Sequence, residues 1–483
     1  MNIVSILLGL VFVLNMFVAV WLLFKDKRDA GSTWAWLLVL YFIPVLGFIL
    51  YLLFGGRGLR RNRLFQWEDM NKLGIEKRLE AQSRKMRSGD YPYRSLITRR
   101  YNDLIMLSLT NNRALLTENN ALEIITDGEE KFNRLFEDIA SAREYIHLQY
   151  YILQKDDLGG RLIEALTKKA QEGVKVRVLY DPLGSRSLTK KFFRAFRAAG
   201  GQAIPFHSSR LRFFNLRLNY RNHRKLVIVD GVTGYVGGFN VGDEYLGLHP
   251  KFGYWRDTHL RLQGSAVYAL QTRFILDWNQ AADSQKIYYK PELFPELVSK
   301  GNIGIQIVTS GPASSFAHIK NGYLKLITSA QRSIYIQSPY FIPDASILDA
   351  LQMAVLSGVK VHIMIPDKPD HLFVYWATLS YVAELLRVGA NVYLYRNGFM
   401  HAKTIVVDDE VASVGTANMD VRSFNLNFEV NAFVYDAEVA SQLTDIFKHD
   451  MERSEQLTMA KYNQRSNWIR FKEAISRLLS PIL

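Results

Sequence analysis

The 483-residue chain contains no cysteine. That absence excludes disulfide scaffolds, cysteine-bearing zinc sites, iron–sulfur clusters and thiol catalysis. The chain also lacks any Gly-x4-Gly-Lys-Ser/Thr run, so no loop of that kind cradles nucleotide phosphates. Acidic residues are in deficit, with 46 Asp+Glu against 60 Lys+Arg and a formal charge of +14. Such an excess predicts an anionic partner, and nucleic acid, a phospholipid surface or a phosphate substrate would each satisfy it. At 48% hydrophobic and 22% charged residues, a disordered or collagen-like chain is excluded, and the length suits two or three domains.

Charge is also missing from two N-terminal stretches. Ile3 to Phe24 is 22 residues without a charged side chain, which as a helix spans about 33 Å, enough for a hydrocarbon core of about 30 Å. Trp34 to Phe54 is a second run, and Pro44 and Gly47 are tolerable inside it. The loop Lys25-Asp26-Lys27-Arg28-Asp29 turns the chain between them. A cleaved signal peptide would need a basic start, and Met1-Asn2-Ile3 supplies none. We therefore expect a two-helix transmembrane hairpin over residues 1–56. The loop holds three Lys/Arg, while Arg57, Arg60, Arg61, Arg63 and Lys72 follow the second run, so the body is expected on the cytoplasmic side of the cell membrane.

Residues 57–120 are polar, Arg-rich and broken at Gly89-Asp90-Tyr91-Pro92, which reads as a basic juxtamembrane linker with surface helices. Beyond it the chain repeats itself. Tyr145 to Ile152, an amphipathic helix and Gly173 to Asp181 have counterparts in Ser333 to Gln337 with Tyr340 to Ile342, a helix, and Gly358 to Ile365. Strands alternating with helices of this length predict an α/β fold with partly parallel, mixed sheets. The lobes are placed at 121–295 and 296–483.

Each copy then reaches a polar-headed strand: Asn222-His223-Arg224-Lys225 running to Asp230-Gly231, and Met400-His401-Ala402-Lys403 running to Asp408-Asp409. Both read His-x-Lys-x4-Asp, and each is echoed by Gly237-Gly238-Phe239-Asn240 or Gly415-Thr416-Ala417-Asn418. On a strand, residues i and i+2 share a face, so His223 points with Lys225 and His401 with Lys403. The odd spacing puts Asp230 and Asp408 on the other face, at a turn, where local support is their simpler role. One such motif would be weak evidence; the same grammar twice is strong. Paired histidines, lysines and asparagines in one pocket suit phosphodiester transfer without a metal. The lysines and Asn240 and Asn418 would hold phosphate oxygens, one neutral histidine would attack phosphorus, and the other would protonate the leaving oxygen. An attacking imidazole needs an acceptor for its other ring nitrogen. Asp257 and Glu429, each opening a strand after a motif, are nominated for it.

Through both motifs the sequence resembles the phospholipase D superfamily, and within it the bacterial cardiolipin synthases. The latter resemblance is carried by the hairpin with Trp36-Leu37-Leu38, by Gln337-Ser338-Pro339-Tyr340-Phe341-Ile342-Pro343 and by the stretch Asn418 to Glu429. It covers nearly the whole chain. It implies two similar lobes related by pseudo-two-fold symmetry, and His223, Lys225, Asp230, His401, Lys403 and Asp408 as catalytic positions. The implied reaction takes a phosphatidyl group from one phosphatidylglycerol through a phosphatidyl-histidine on His223 to another, with His401 as acid and base, and uses no cofactor and no metal. The division of labour between the histidines comes from the resemblance, because the two motifs are nearly symmetric. No Asp-Gly-x2-Ala-Arg pattern marks the alternative metal-dependent transferase route. Water or another alcohol as acceptor would make the chain a phospholipase D or a different phosphatidyltransferase.

Between Pro182 and Val229 lie 48 residues with eleven Lys/Arg and no acid. Nucleic acid could be gripped by such a segment. In a chain with a membrane hairpin, an anionic bilayer is the better partner, with Arg210, Arg212, Phe213, Phe214 and Arg217 in contact. Trp468, Phe471, Ile475, Leu478 and Leu479 follow helical spacing and predict a C-terminal amphipathic helix on the body or the membrane.

Overall fold

The computed structural model describes residues 3–24, 30–51, 75–206, 220–282, 284–296, 300–312, 314 and 316–480. The hairpin loop Lys25 to Asp29, the basic run Arg57 to Arg63, and Arg210, Arg212, Phe213, Phe214 and Arg217 lie outside these residues.

The repeat builds two similar lobes that share one sheet of 15 strands. From the junction outward, the first lobe orders Thr117–Ile125, His259–Gln263, Thr233–Gly237, Leu226–Val229, Tyr145–Tyr150, Lys175–Tyr180 and Gln202–Pro205. The second orders Ile303–Ser310, Glu429–Tyr435, Val411–Gly415, Thr404–Val407, Ser333–Gln337, Lys360–Pro366 and Asn391–Tyr395, and adds Ser454–Leu457 at its edge. In each lobe the crossover strands pair in parallel and the motif strand returns antiparallel. The mixed sheets expected of the two lobes meet in the antiparallel pairing of Thr117–Ile125 with Ile303–Ser310. An antiparallel junction between matching strands is the relation a two-fold axis generates. Within each lobe the strands around the motif strand, among them Tyr145–Tyr150, Leu226–Val229, Thr404–Val407 and Glu429–Tyr435, are buried at every position, because helices cover both faces and leave no side for water.

Residues 57–120 correct the linker expectation in their described part. Helices Ile75–Arg87, Leu96–Arg100 and Asn102–Asn112 place Leu79, Met86, Leu104, Ile105 and Leu109 in the second lobe's core with Val308, Ile319 and Tyr323. Strand Thr117–Ile125 already lies at the sheet's centre. Polar composition misled here: the charges occupy the outer face of an amphipathic helix whose inner face is core.

At the N-terminus, helix Ile3–Phe24 packs on Ala30–Phe42 and Pro44–Leu50. Pro44 has no N–H to offer the carbonyl of Leu40; Asn15 Nδ2 donates to that carbonyl and to Pro44 O, each at 3.0 Å. Among the described residues no helix is long and apolar enough to cross a membrane. Helix Asn467–Leu478 forms as expected and packs on Leu372–Val388, leaving Trp468, Phe471 and Leu478 exposed.

Candidate active site

The motif heads of the two lobes meet through backbone hydrogen bonds. The N–H of Phe428 donates to Arg221 O at 2.8 Å and that of His223 to Phe428 O at 3.0 Å, a short parallel bridge between Asn222 and Phe428. Its counterpart pairs Phe399–Met400 in parallel with Trp255–Arg256, and His401 N–H donates to Arg256 O at 2.7 Å. Each motif is therefore stitched to the strand opening of the other lobe. The register sets His223 beside Glu429 and His401 beside Asp257.

The side chains follow that register. His223 Nδ1 lies 3.0 and 2.9 Å from the two oxygens of Glu429, and His401 Nδ1 lies 2.6 Å from Asp257 Oδ2. Both carboxylates are fully buried and both have their pKa lowered below the ordinary carboxylate value, because neighbouring histidines and lysines outweigh the cost of burial. Ionised, they can only accept, so each Nδ1 carries a proton and each Nε2 presents its lone pair. Thr416 Oγ1 and Asn427 Nδ2 also donate to Glu429, at 2.6 and 3.1 Å, and Thr258 N–H donates to Asp257 at 2.8 Å.

Burial lowers the pKa of His223 despite Glu429. Burial and the charge of Lys403 push His401 down to about 4. Both imidazoles are thus neutral at pH 7. Lys225 and Lys403 are buried on the same face, as the i, i+2 parity requires. Lys225 Nζ donates to His223 O at 2.7 Å and Lys403 Nζ donates to His401 O. Lys403 Nζ also stands 2.8 Å from His401 Nδ1, a contact that crowds a ring nitrogen already committed to Asp257. Desolvation pushes Lys225 down to about 7 and Lys403 to about 8. Two ammonium groups held out of water beside two neutral imidazoles form a pocket for one phosphodiester anion.

Asp230 and Asp408 do not join this group, which corrects their catalytic nomination. Both adopt left-handed backbone, φ 52° and 55°, at the turn closing each motif strand, a conformation Asp tolerates better than most residues. The Asp230 carboxylate accepts from the N–H groups of Arg143, Glu144 and Tyr145, all at 2.8 Å. Asp408 does the same for Gln331, Arg332 and Ser333 at 2.7–2.9 Å. They tie the end of the motif strand to the start of the strand paired beside it, Tyr145–Tyr150 or Ser333–Gln337. Asn240 is engaged by Ile152 N–H at 3.1 Å and by the Tyr245 hydroxyl at 3.2 Å. Asn418 is buried with its Oδ1 lacking a partner among the described residues. Among the described residues no group of His, Asp and Glu could hold a metal ion.

Sequence reasoning assigned no role to Arg224, although it lies between His223 and Lys225. Parity turns it to the opposite face, where it is buried, donates to both oxygens of Asp277 at 2.7 Å, to Ser310 O at 2.8 Å and to Glu429 O at 3.0 Å. Arg256, next to Asp257, similarly donates to Asp450 at 2.9 and 3.1 Å. These two arginines fix the backbone from which the carboxylates project. The signal available in the sequence was an arginine at the odd position of a strand whose even positions carry the chemistry.

A family model described as cardiolipin synthase, phospholipase D-like domain, matches residues 135–251 and 323–451. A second, described as phospholipase D-nuclease N-terminal, matches residues 13–56. The chain is 62% identical to the major cardiolipin synthase ClsA of Bacillus subtilis (strain 168) over 483 residues, which is 100% of both chains. It is 54% identical, again over 100% of both, to a cardiolipin synthase of Listeria welshimeri. Among solved structures, the phosphatidylserine synthase of Haemophilus influenzae Rd KW20 has the same fold, with a TM-score of 0.62 and 15% identity over 79% of this chain and 100% of that one.

Proposed function

The chain belongs to the cardiolipin synthases of the phospholipase D superfamily, and from that premise we propose that its two lobes together transfer a phosphatidyl group between two molecules of phosphatidylglycerol. The activity itself is that of a phosphatidyltransferase making cardiolipin. What carries the reading is the pair of neutral imidazoles, each backed by a buried carboxylate from the opposite lobe, with Lys225 and Lys403 beside them.

In the first step His223 Nε2 attacks phosphorus, and the bond from phosphorus to the headgroup glycerol oxygen breaks. Glu429 holds the proton on Nδ1 and offsets the positive charge that forms on the ring. Lys225 and Lys403 balance the phosphate oxygens. The glycerol oxygen leaves with a proton from His401. Held at about 4 in the free enzyme, His401 gains its proton once the phosphodiester anion offsets the two lysines, since an adjacent negative charge favours the charged imidazole. In the second step a headgroup hydroxyl of another phosphatidylglycerol gives its proton to His401 and attacks phosphorus, and the His223–phosphorus bond breaks. One phosphodiester replaces another, so no nucleotide need supply energy.

The N-terminal helices are proposed to anchor the chain in the cell membrane with the body on the cytoplasmic side. In support, helix Ile3–Phe24 carries 22 uncharged residues, and Asn15 turns inward to the Pro44 break, leaving Phe17, Trp34, Tyr41 and Phe42 on the outside. Arg210, Arg212, Phe213, Phe214 and Arg217 are proposed to touch the anionic bilayer.

Purified protein incubated with phosphatidylglycerol alone should release glycerol and cardiolipin in equal amounts. Phosphatidic acid as the sole product would defeat the reading. His223→Ala should abolish the acid-quenched lipid adduct, and an adduct at full yield would move the nucleophile elsewhere.

A further inference from the structure

One patch of positive charge beside the histidines is used neither by the lysine pair nor by the carboxylates. Tyr151 stands edge-on to His223, ring centroids 4.9 Å apart, and Lys225 lies 5.5 Å from the same ring. The charges of Arg221, Arg422 and Arg186 act on the Tyr151 hydroxyl, and those of Arg422 and Arg186 act on Arg221. Asp181 lies 3.6 Å from Arg221 Nη1. Its oxygens are already taken by the N–H groups of Leu183, Gly184 and Asn222 at 2.8–3.1 Å.

Arg221 is the informative member. Its side chain is 9% exposed, yet Nε and Nη2 are buried without a hydrogen-bond partner among the described residues. A guanidinium buried with unused donors is costly and is seldom left so. The backbone bonds of Arg221 and His223 both go to Phe428, so the two side chains leave the chain on the same side, about 7 Å apart at strand rise. That spacing suits two phosphates joined through a three-carbon glycerol bridge, which is the arrangement in cardiolipin. Arg186 is exposed and Arg422 half-buried, which opens the patch to an incoming headgroup.

We propose that Arg221, with Arg186 and Arg422, forms a second phosphodiester subsite that holds the phosphate of the acceptor lipid while its headgroup hydroxyl attacks the phosphatidyl-histidine. This rests on the reading of phosphatidylglycerol as acceptor. It also supplies a physical reason for lipid to be preferred over water: only an acceptor with its own phosphodiester is positioned by the patch.

The test compares two reactions of the full-length enzyme in phosphatidylglycerol vesicles. Exchange of labelled glycerol into phosphatidylglycerol uses a neutral acceptor, whereas cardiolipin formation uses an anionic one. For Arg221→Gln, the ratio of cardiolipin formed to glycerol exchanged should fall about tenfold, the scale of one charge-assisted hydrogen bond. Arg221→Lys should restore part of it. Arg186→Gln, exposed and without a folding role, should lower the same ratio by a smaller factor. A ratio unchanged in all three variants, or synthesis and exchange falling in step, would overturn the subsite. An unaltered enzyme that neither exchanges glycerol nor makes cardiolipin would instead defeat the phosphatidylglycerol reading on which it rests.

Discussion

Replacing Glu429 with glutamine changes almost no volume and removes one negative charge from the centre of the site. The carboxylate faces His223 Nδ1 at 2.9 Å. Once His223 is bonded to phosphorus its ring is cationic, and at an effective dielectric constant of about 20 a pair at that separation is worth about 6 kcal/mol. Part of this survives the substitution. Asn427 Nδ2 and Thr416 Oγ1 both donate to Glu429, and the hydroxyl can accept as well as donate, so in Glu429→Gln the introduced amide oxygen would turn to Asn427 Nδ2 and still accept from Nδ1. The hydrogen bond and the tautomer are kept while the charge is lost. We expect the rate of adduct formation to fall about 10³-fold, or ~4 kcal/mol at the transition state. Quenched single-turnover experiments with labelled phosphatidylglycerol would measure it, with thermal melting as the control for folding. A second signature follows from Lys225, which Glu429 helps to keep charged. Without that carboxylate its titration moves below 7, so the variant should lose still more activity between pH 7 and 8 than the parent does. An adduct rate within about threefold of the parent, with no change in the pH profile, would refute the cross-lobe pairing as the source of nucleophilicity.

The pH dependence of kcat/KM should show two limbs set by the free enzyme. Lys225 and Lys403 are depressed from 10.5 to about 7 and about 8, so their charges disappear as pH rises through that window, and binding of the phosphodiester falls with them; on the acid side, His223 is lowered from 6.5 and loses its lone pair only below the ordinary histidine range. A basic limb near 10 would show that the lysines are not desolvated. Asp408→Ala should act on stability rather than chemistry, because it strips acceptors from three backbone N–H groups and leaves alanine at φ 55°. The expected cost is about 2–5 kcal/mol, with adduct formation per folded molecule nearly unchanged. Loss of adduct at an unchanged melting temperature would return Asp408 to the chemistry.

Local parity was readable from the sequence, and pairing between lobes was not. Two residues apart on a strand, His223 and Lys225 share a face whatever the rest of the chain does, and seven residues from the histidine the aspartate has to fall at the turn. Those placements need only short-range geometry. The histidine–carboxylate pairs join residues 206 and 144 positions apart. Asp257 and Glu429 could be nominated from sequence without their partners; each follows the motif of its own lobe, and the parallel bridges at Asn222–Phe428 and Met400–Arg256 give it to the histidine of the other. The segment 75–112 failed for a related reason: its charge was visible, but the sheet face waiting to cover Leu79, Leu104 and Leu109 is built from residues more than 200 positions later.

The exchange has a consequence for how the activity depends on the fold. Each lobe carries a complete motif, yet its histidine takes its carboxylate from the other lobe, so a lobe by itself would hold an imidazole without the carboxylate that accepts from its Nδ1. Arg224 and Arg256 carry the dependence further, since each is paired with an aspartate and lies beside a carboxylate-bearing strand at the junction. Pairing of Thr117–Ile125 with Ile303–Ser310 joins the two halves of the sheet at that junction. Reaction geometry in this enzyme is therefore a property of the register between two halves, and a change at the junction strands, far from any lipid, should disturb both histidines together.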